Sequence, residues 1–313
     1  MSVVSRNAGP RRFDRDVDGI LLLDKPPGLT SNAALQQVRA LYRARKAGHA
    51  GTLDPLATGM LPLCFGEASK TCGLLLDARK TYRFTALLGQ RTDTGDSAGK
   101  VVEERPVPML SEDDVRAACA ALLGEQWQAP PMYSAVKHEG QRLYQLARRG
   151  ETVERPPRKI FIHDMALLSA APDRLDVQVR CSKGTYVRTL AEELAAKLGT
   201  TAHLIALRRL EVEPFEERAM HTLEELGGLD AATLDALLLP PDAALASLPR
   251  VMLTAEQASA LRHGQAVRPA SLAERGVLRL YAPAGHFLGM GEALADGSVR
   301  PKRLVAFERN PAG

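Results

Sequence analysis

What this sequence lacks narrows its chemistry before any single residue is weighed. It has four cysteines, at positions 64, 72, 119 and 181, with no C-x-x-C pair and no spacing shared with its seven histidines. That pattern argues against a disulfide framework and a zinc knuckle, and for reduced thiols in a cytoplasmic protein. Walker A, H-E-x-x-H and a strand-preceded G-x-G-x-x-G are all missing, so phosphate-loop, zinc-protease and dinucleotide readings have no anchor. No apolar run is long enough to span a bilayer, and the opening "MSVVSRNAGPRRFDRDVDG" has no apolar centre, which argues against a signal peptide and a membrane association. There is no repeat at solenoid or propeller period and no low-complexity tract.

What is present is ordinary in bulk and uneven in detail. The 313 residues are 45% hydrophobic and 25% charged, enough for a large catalytic unit and a small companion. A formal charge of +4 permits an anionic partner without demanding one. Between Lys137 and Lys159, however, seven Lys or Arg stand against three Glu. Between Glu216 and Leu245, seven acids stand against Arg218 alone. The total conceals a basic segment and an acidic one.

Hydrophobic periodicity then predicts the elements. "GILLLDK" (19–25), closed by "PPG", reads as a buried strand ending in a turn. "TSNAALQQVRALYRARK" reads as a helix capped by Thr30 or Ser31, with Leu35, Val38, Leu41 and Tyr42 on one face. "TYRFTALLG" (81–89) and "RLDVQVRC" (174–181) alternate as half-buried strands do. "SEDDVRAACAALLG" and "VRTLAEELAAKLG" read as amphipathic helices stopped by Gly124 and Gly199. Strands interrupted by single helices, without a βαβ period, predict an α+β fold with a mixed or antiparallel central sheet and flanking helices. Proline density in "LPPDAALASLPRVML" marks a boundary near residue 250, followed by short alternating strands. The expected division is a flexible basic tail over 1–17, a catalytic domain over 18–248 and a small β-rich domain over 249–313.

One stretch resists a structural explanation: "GHAGTLDPLATG", from Gly48 to Gly59. An isolated Asp-Pro is normally a turn initiator. Here Pro55 biases Asp54 toward extended backbone, and the glycines leave room for a ligand or a polynucleotide backbone to approach. A carboxylate with no metal and no partner carboxylate acts as a base or as a covalent nucleophile. A second pattern, "GDSAG" at 95–99, is literally G-x-S-x-G, which would make Ser97 a hydrolase nucleophile. That motif needs a strand before it and a helix after it; the flanking "QRTDT" and "KVVEE" read as a hairpin or loop instead.

The blocks "GILLLDKPPGLTS", "GHAGTLDPLATGMLPLCFGEASK", "KTYRFTALLGQRTDTGD", "PPMYSAVKHEGQRLYQLAR" and "CSKGTYVRTLAEELAAKLG", in this order, closely resemble the TruB family of tRNA pseudouridine synthases. The resemblance covers most of 19–215. It leaves out the N-terminal tail and the acidic 216–245 connection. It implies the pseudouridine synthase fold, and a C-terminal domain similar to the PUA fold of RNA-binding proteins. The implied activity is isomerisation of uridine 55 in the T arm of tRNA to pseudouridine. The N1–C1′ bond breaks, the base turns, and C5 bonds to C1′, with no cofactor and no metal.

The same resemblance implies that Asp54 is the catalytic carboxylate, attacking C1′, adding to C6 or helping to remove the C2′ proton. Tyr82 would stack on the target base and assist proton transfer, and Arg188 would pair with Asp54, orient it and lower its pKa. His49 would wedge near the flipped nucleotide. Lys25 and Tyr186 would support the loop and the base pocket, and Lys137, Arg142, Arg148 and Arg149 would contact phosphates. The implied partner is tRNA, with no membrane and no obligate protein partner. The rival from another class is a catalytically silent tRNA-binding or chaperone module; a binder would not need Asp54, Tyr82 and Arg188 together.

Overall fold

A single eight-stranded mixed sheet organises the larger part of the molecule, in a computed structural model that describes residues 13–272 and 275–306. β1 (Gly19–Lys25) leads into helix α1 (Ser31–Tyr42), then β2 (Ala47–His49), β3 (Thr58–Phe65), the short α2 (Cys72–Asp77) and β4 (Lys80–Leu88). A hairpin of β5 (Gln90–Thr92) and β6 (Val101–Glu104) precedes α3 (Glu112–Ala120) and β7 (Gly124–Gln128). The ribbon β8 (Lys137–His138) and β9 (Gln141–Arg142) continues into α4 (Leu143–Arg148). β10 (Arg158–Ala171), β11 (Arg174–Cys181), α5 (Val187–Lys197) and β12 (Ala202–Val212) complete the sheet, before α6 (Leu223–Gly227) and α7 (Ala231–Ala236).

The strand order is β1-β3-β12-β4-β11-β10-β7, with β2 paired to β3. Only β3 and β12 run parallel; every other pairing in this sheet is antiparallel. The mixed sheet with flanking helices is the α+β architecture expected. β1 is apolar from Ile20 to Leu23 because it is covered on both faces: Leu21 and Leu23 enter the main core, Ile20 and Leu22 a second one. β4 alternates because Tyr82, Phe84, Ala86 and Leu88 face that main core, while Arg83 faces outward.

Local differences from the sequence reading have simple causes. α1 is capped by the Thr30 side chain, and it stops at Tyr42 because Arg43 turns left-handed at φ 52°. Leu41 is exposed, and the helix buries Ala34 beside Leu35, Val38 and Tyr42. α3 ends at Ala120, so Gly124 stops no helix; at φ 87° it opens β7 instead. Residues 13–17, read as part of a flexible tail, are held. Arg39 stacks over the Phe13 ring, Arg15 pairs with Asp235, and Val17 is buried. The rest of that tail call, residues 1–12, lies outside the described residues.

Past residue 249 a second sheet forms from β13 (Arg250–Met252), β14 (Gly276–Tyr281), β15 (Phe287–Ala293) and β16 (Val299–Leu304), with α8 (Ala255–Arg262) packed on it. It has its own core, including Val251, Leu261, Leu278, Leu280 and Val299. Tyr281 donates to Asp242 and Lys70 donates to the Leu304 carbonyl, joining it to the larger part. Among the described residues, no helix is long and apolar enough to cross a membrane.

Candidate active site

The glycine-rich loop between β2 and β3 is anchored on both sides of Asp54. Ser31, the first residue of α1, accepts from Leu53 N–H at 2.8 Å and donates to the Leu53 carbonyl at 3.1 Å. Gly28 N–H reaches the Pro55 carbonyl at 2.8 Å, and Ala57 N–H reaches the Asp54 carbonyl at 3.0 Å. Leu53 and Ala57 are buried, whereas the Asp54 side chain keeps 37% of its surface open. The carboxylate is therefore carried on a fixed backbone and presented to an opening.

Arg188, on the first turn of α5, meets it. Its Nε lies 3.0 Å from Asp54 Oδ2, and the side chain is 5% exposed. The two outer nitrogens donate elsewhere, Nη1 to the Thr94 carbonyl at 2.5 Å and Nη2 to the Tyr133 carbonyl at 2.6 Å. The ion pair is thus single-pointed, and the guanidinium fork is locked by two carbonyls rather than by the carboxylate. Burial raises the Asp54 carboxyl above its ordinary range; Arg188 opposes the rise, Asp96 adds to it and Lys25 opposes it. The expected lowering by Arg188 is present but outweighed by desolvation. α5 is itself tied to β7, since Tyr186 N–H, at its N-cap, donates to Gln128 Oε1 at 2.8 Å.

Tyr82 extends from β4 on the face of Phe84 and packs at the edge of the main core. Burial raises its phenol pKa; the guanidinium of Arg209, its cross-strand partner on β12, lowers it, while Asp54 raises it. Lys25 is fully buried, and its Nζ donates to the carbonyls of Pro26 at 2.8 Å and Leu29 at 2.7 Å. It stiffens the PPG turn that holds Pro55, and burial pulls its pKa down to about 8. His49, at the end of β2, is half-buried with a buried Nδ1 that has no partner; burial and then Arg209 depress its pKa.

The structure thus brings Asp54, Arg188, Tyr82, Lys25 and Arg209 into one electrostatically coupled group. The basic residues stand apart on the β8–β9 ribbon and α4, where Lys137, Arg142, Arg148 and Arg149 are exposed. Lys137 lies directly opposite Arg142 in the ribbon, an arrangement unfavourable by itself and relieved by an anion. Arg149 pairs with Glu151 at 2.6 Å, and Arg148 sits over the Tyr144 ring. The segment joins the site at its root, through Tyr133.

Ser97 sits exposed on the turn between β5 and β6. With a hairpin on both sides, it lacks the strand-to-helix setting of a nucleophile elbow, and the hydrolase reading falls. Among the described residues, no group of three His, Cys, Asp or Glu is placed to hold a metal ion. Arg209, Gln128 and Thr94 were missed from sequence. Arg209 lies in the strand-like "ALRRLEV", where no pattern tells a buried arginine from a solvated one.

Three family models match consecutive parts of the chain. They are the TruB family pseudouridylate synthase N-terminal domain over 39–187, the tRNA pseudouridylate synthase B C-terminal domain over 188–246, and the pseudouridine synthase II TruB C-terminal region over 249–305. The second covers the acidic connection that the sequence resemblance left out; its α6 packs on α1, and Leu234 of α7 accepts from the Tyr42 hydroxyl at 2.6 Å. The chain is 52% identical over 297 residues to tRNA pseudouridine synthase B of Chromohalobacter salexigens, covering 94% of this chain and 96% of that protein. It is 50% identical to the protein of the same name from Aromatoleum aromaticum, covering 95% of each. A chain of the solved Cbf5–Nop10–Gar1 complex is similar at TM-score 0.68 and 26% identity, over 88% of this chain and 78% of that one.

Proposed function

Because the chain belongs to the TruB family of pseudouridine synthases, we propose that it isomerises uridine 55 in the T arm of tRNA to pseudouridine with Asp54 as its catalytic carboxylate. Membership and near-full-length identity make it a tRNA uridine-to-pseudouridine isomerase. The nucleotide and the residue roles are the proposal. The observation that carries it is the Asp54–Arg188 contact at 3.0 Å, with Arg188 fixed by two carbonyls and Asp54 open on one side. A carboxylate held at one angle toward an opening suits attack at C1′, addition to C6 or removal of the C2′ proton; all three need its ionised form.

The reaction is redox-neutral and keeps every atom of the substrate. The glycosidic bond to N1 breaks, the base turns within the site, C5 bonds to C1′, and the proton lost from C5 is matched by one gained at N1. Tyr82, at the core edge beside Asp54, offers a flat ring for the extruded base and a hydroxyl for that proton traffic. His49 supports the neighbouring nucleotide, while Lys25 and Tyr186 hold the loop and the start of α5. Extracting a stacked base costs a few kcal/mol. Phosphate contacts by Lys137, Arg142 and Arg148 offset it, and their exposed, mutually opposed charges favour an anionic partner.

The test is Asp54→Asn, which keeps size and turn compatibility but removes the charge. Single-turnover pseudouridine formation, mapped at nucleotide resolution on unmodified tRNA, should fall by several orders of magnitude. The tRNA dissociation constant should stay within about tenfold, ~1.4 kcal/mol. Substantial turnover by the variant, or product at another nucleotide in the wild type, would overturn the assignment.

A further inference from the structure

Among the described residues, Arg209 is the largest side chain that is fully buried, at 1% exposure. Its contacts are all to neutral oxygens. Nε donates to the Met60 carbonyl at 2.7 Å and Nη2 to the Gly51 carbonyl at 3.0 Å. Among the described residues it makes no salt bridge. Burying a guanidinium without an opposing carboxylate is costly, and neutral donors can tie carbonyls together without that cost.

The backbone is shaped around this one residue. β12 runs parallel to β3 with Arg209 opposite Gly59, and antiparallel to β4 with Arg209 opposite Tyr82. A Cβ at Gly59 would stand 2.1 Å from the Arg209 carbonyl oxygen, and Gly59 itself sits at φ 96°. A Cβ at Gly51, at φ 85°, would stand 3.2 Å from Arg209 Nη1. Gly51 thus leaves room for the Arg209 guanidinium, while Gly59 admits the β12 backbone at this position. Its charge is also felt at the Lys25, His49 and Tyr82 side chains, lowering the pKa of each.

Resting on the catalytic reading of Asp54 and Tyr82, we propose that Arg209 is a positioning residue for the isomerisation, holding the Asp54 loop in register with the strand that carries Tyr82. One guanidinium spans the Gly51 and Met60 carbonyls, which lie on either side of Asp54 in the chain. Tyr82 lies directly opposite it across the β12–β4 pair, so the cation that ties the loop also stands at the strand position that carries the phenol. Asp54 and Tyr82 come from different parts of the chain, and Arg209 is the group that touches the supports of both.

The test compares Arg209→Met, which removes the charge, with Arg209→Lys, which keeps it but cannot span both carbonyls. Each full-length variant is assayed for single-turnover rate, tRNA affinity and melting temperature. The Tyr82 ionisation is followed by fluorine NMR in protein labelled with 3-fluorotyrosine, its signal assigned by loss in Tyr82→Phe. For Arg209→Met we expect a rate loss of about 100-fold, with affinity within about threefold. The Tyr82 midpoint should move to higher pH, because a cation that favours the phenolate is gone. Arg209→Lys should keep the midpoint near that of the wild type and recover part of the rate.

A wild-type rate in Arg209→Met overturns the proposal, as does an unmoved Tyr82 midpoint with rate and affinity falling together. Should the Met variant fail to fold, a wild-type rate in Arg209→Lys overturns it alone. Turnover by Asp54→Asn would sink the catalytic reading instead, and the Tyr82 midpoint judges Arg209 separately.

Discussion

Arg188→Lys separates charge from geometry at the centre of the site. Arginine uses three nitrogens here, one for Asp54 and one each for the Thr94 and Tyr133 carbonyls. A single lysine Nζ replaces one of these contacts well, so two charge-assisted bonds disappear, each worth about 1.5–3 kcal/mol. The two carbonyls regain water in part, which leaves a net destabilisation of about 2–4 kcal/mol. That corresponds to a melting temperature lower by roughly 4–16 °C. Freed from its locked partner, Asp54 drifts by a fraction of an ångström to an ångström, and misplacement on that scale costs about 100-fold in rate, ~2.7 kcal/mol. The assay is single-turnover isomerisation with enzyme in excess, beside a filter-binding titration on the same tRNA and a thermal melt. Rate loss with affinity within about tenfold is the expected pattern. A rate within threefold of the wild type in folded protein would show that the planar lock on Arg188 has no part in the chemistry.

Because burial lifts the Asp54 carboxyl and the ionised form is the active one, activity should be lost on acidification at a midpoint above the ordinary ~3.9. A single-turnover pH profile with its acid limb at or below that value would contradict this. For stability the sign is opposite to that of a salt-bridged carboxylate. A raised folded pKa penalises the charged form, so stability falls as pH rises through the window between ~3.9 and the folded value, and Asp54→Asn should lack that fall. Neutralising Lys137, Arg142 or Arg148 should each flatten the salt dependence of tRNA binding by at most about one unit of slope. Arg149, already paired with Glu151, should matter less; a salt slope unchanged from the wild type in all four variants would mean a merely solvated face. A chain ending near Leu248 should bind tRNA more weakly yet turn over at saturating RNA, since Asp54, Tyr82 and Arg188 all precede that point. If that chain folds and gives no single-turnover product, the C-terminal domain is part of the active site.

The sequence by itself determined the local elements and the chemical candidates. β1 and β11 could be bounded to the residue, because an apolar run and a strict alternation are periodic signals that need no partner to be read. The cap of α1 was narrowed to Thr30 or Ser31 for the same reason, since a cap side chain serves a backbone N–H only three residues on, and it is Thr30 that does so. Five ordered blocks carried the family and, with it, Asp54, Tyr82 and Arg188. Tertiary structure decided what those residues do to one another. That Arg188 spans Thr94, Tyr133 and Asp54 joins four distant stretches, and no spacing in the chain encodes it. The net direction of the Asp54 pKa depended on how much protein surrounds it, which outweighed the arginine that the motif advertised. Arg209 was hidden for the same reason: burial is a property of β12 lying between β3 and β4, and an arginine in an alternating strand reads as solvated until its neighbours are known.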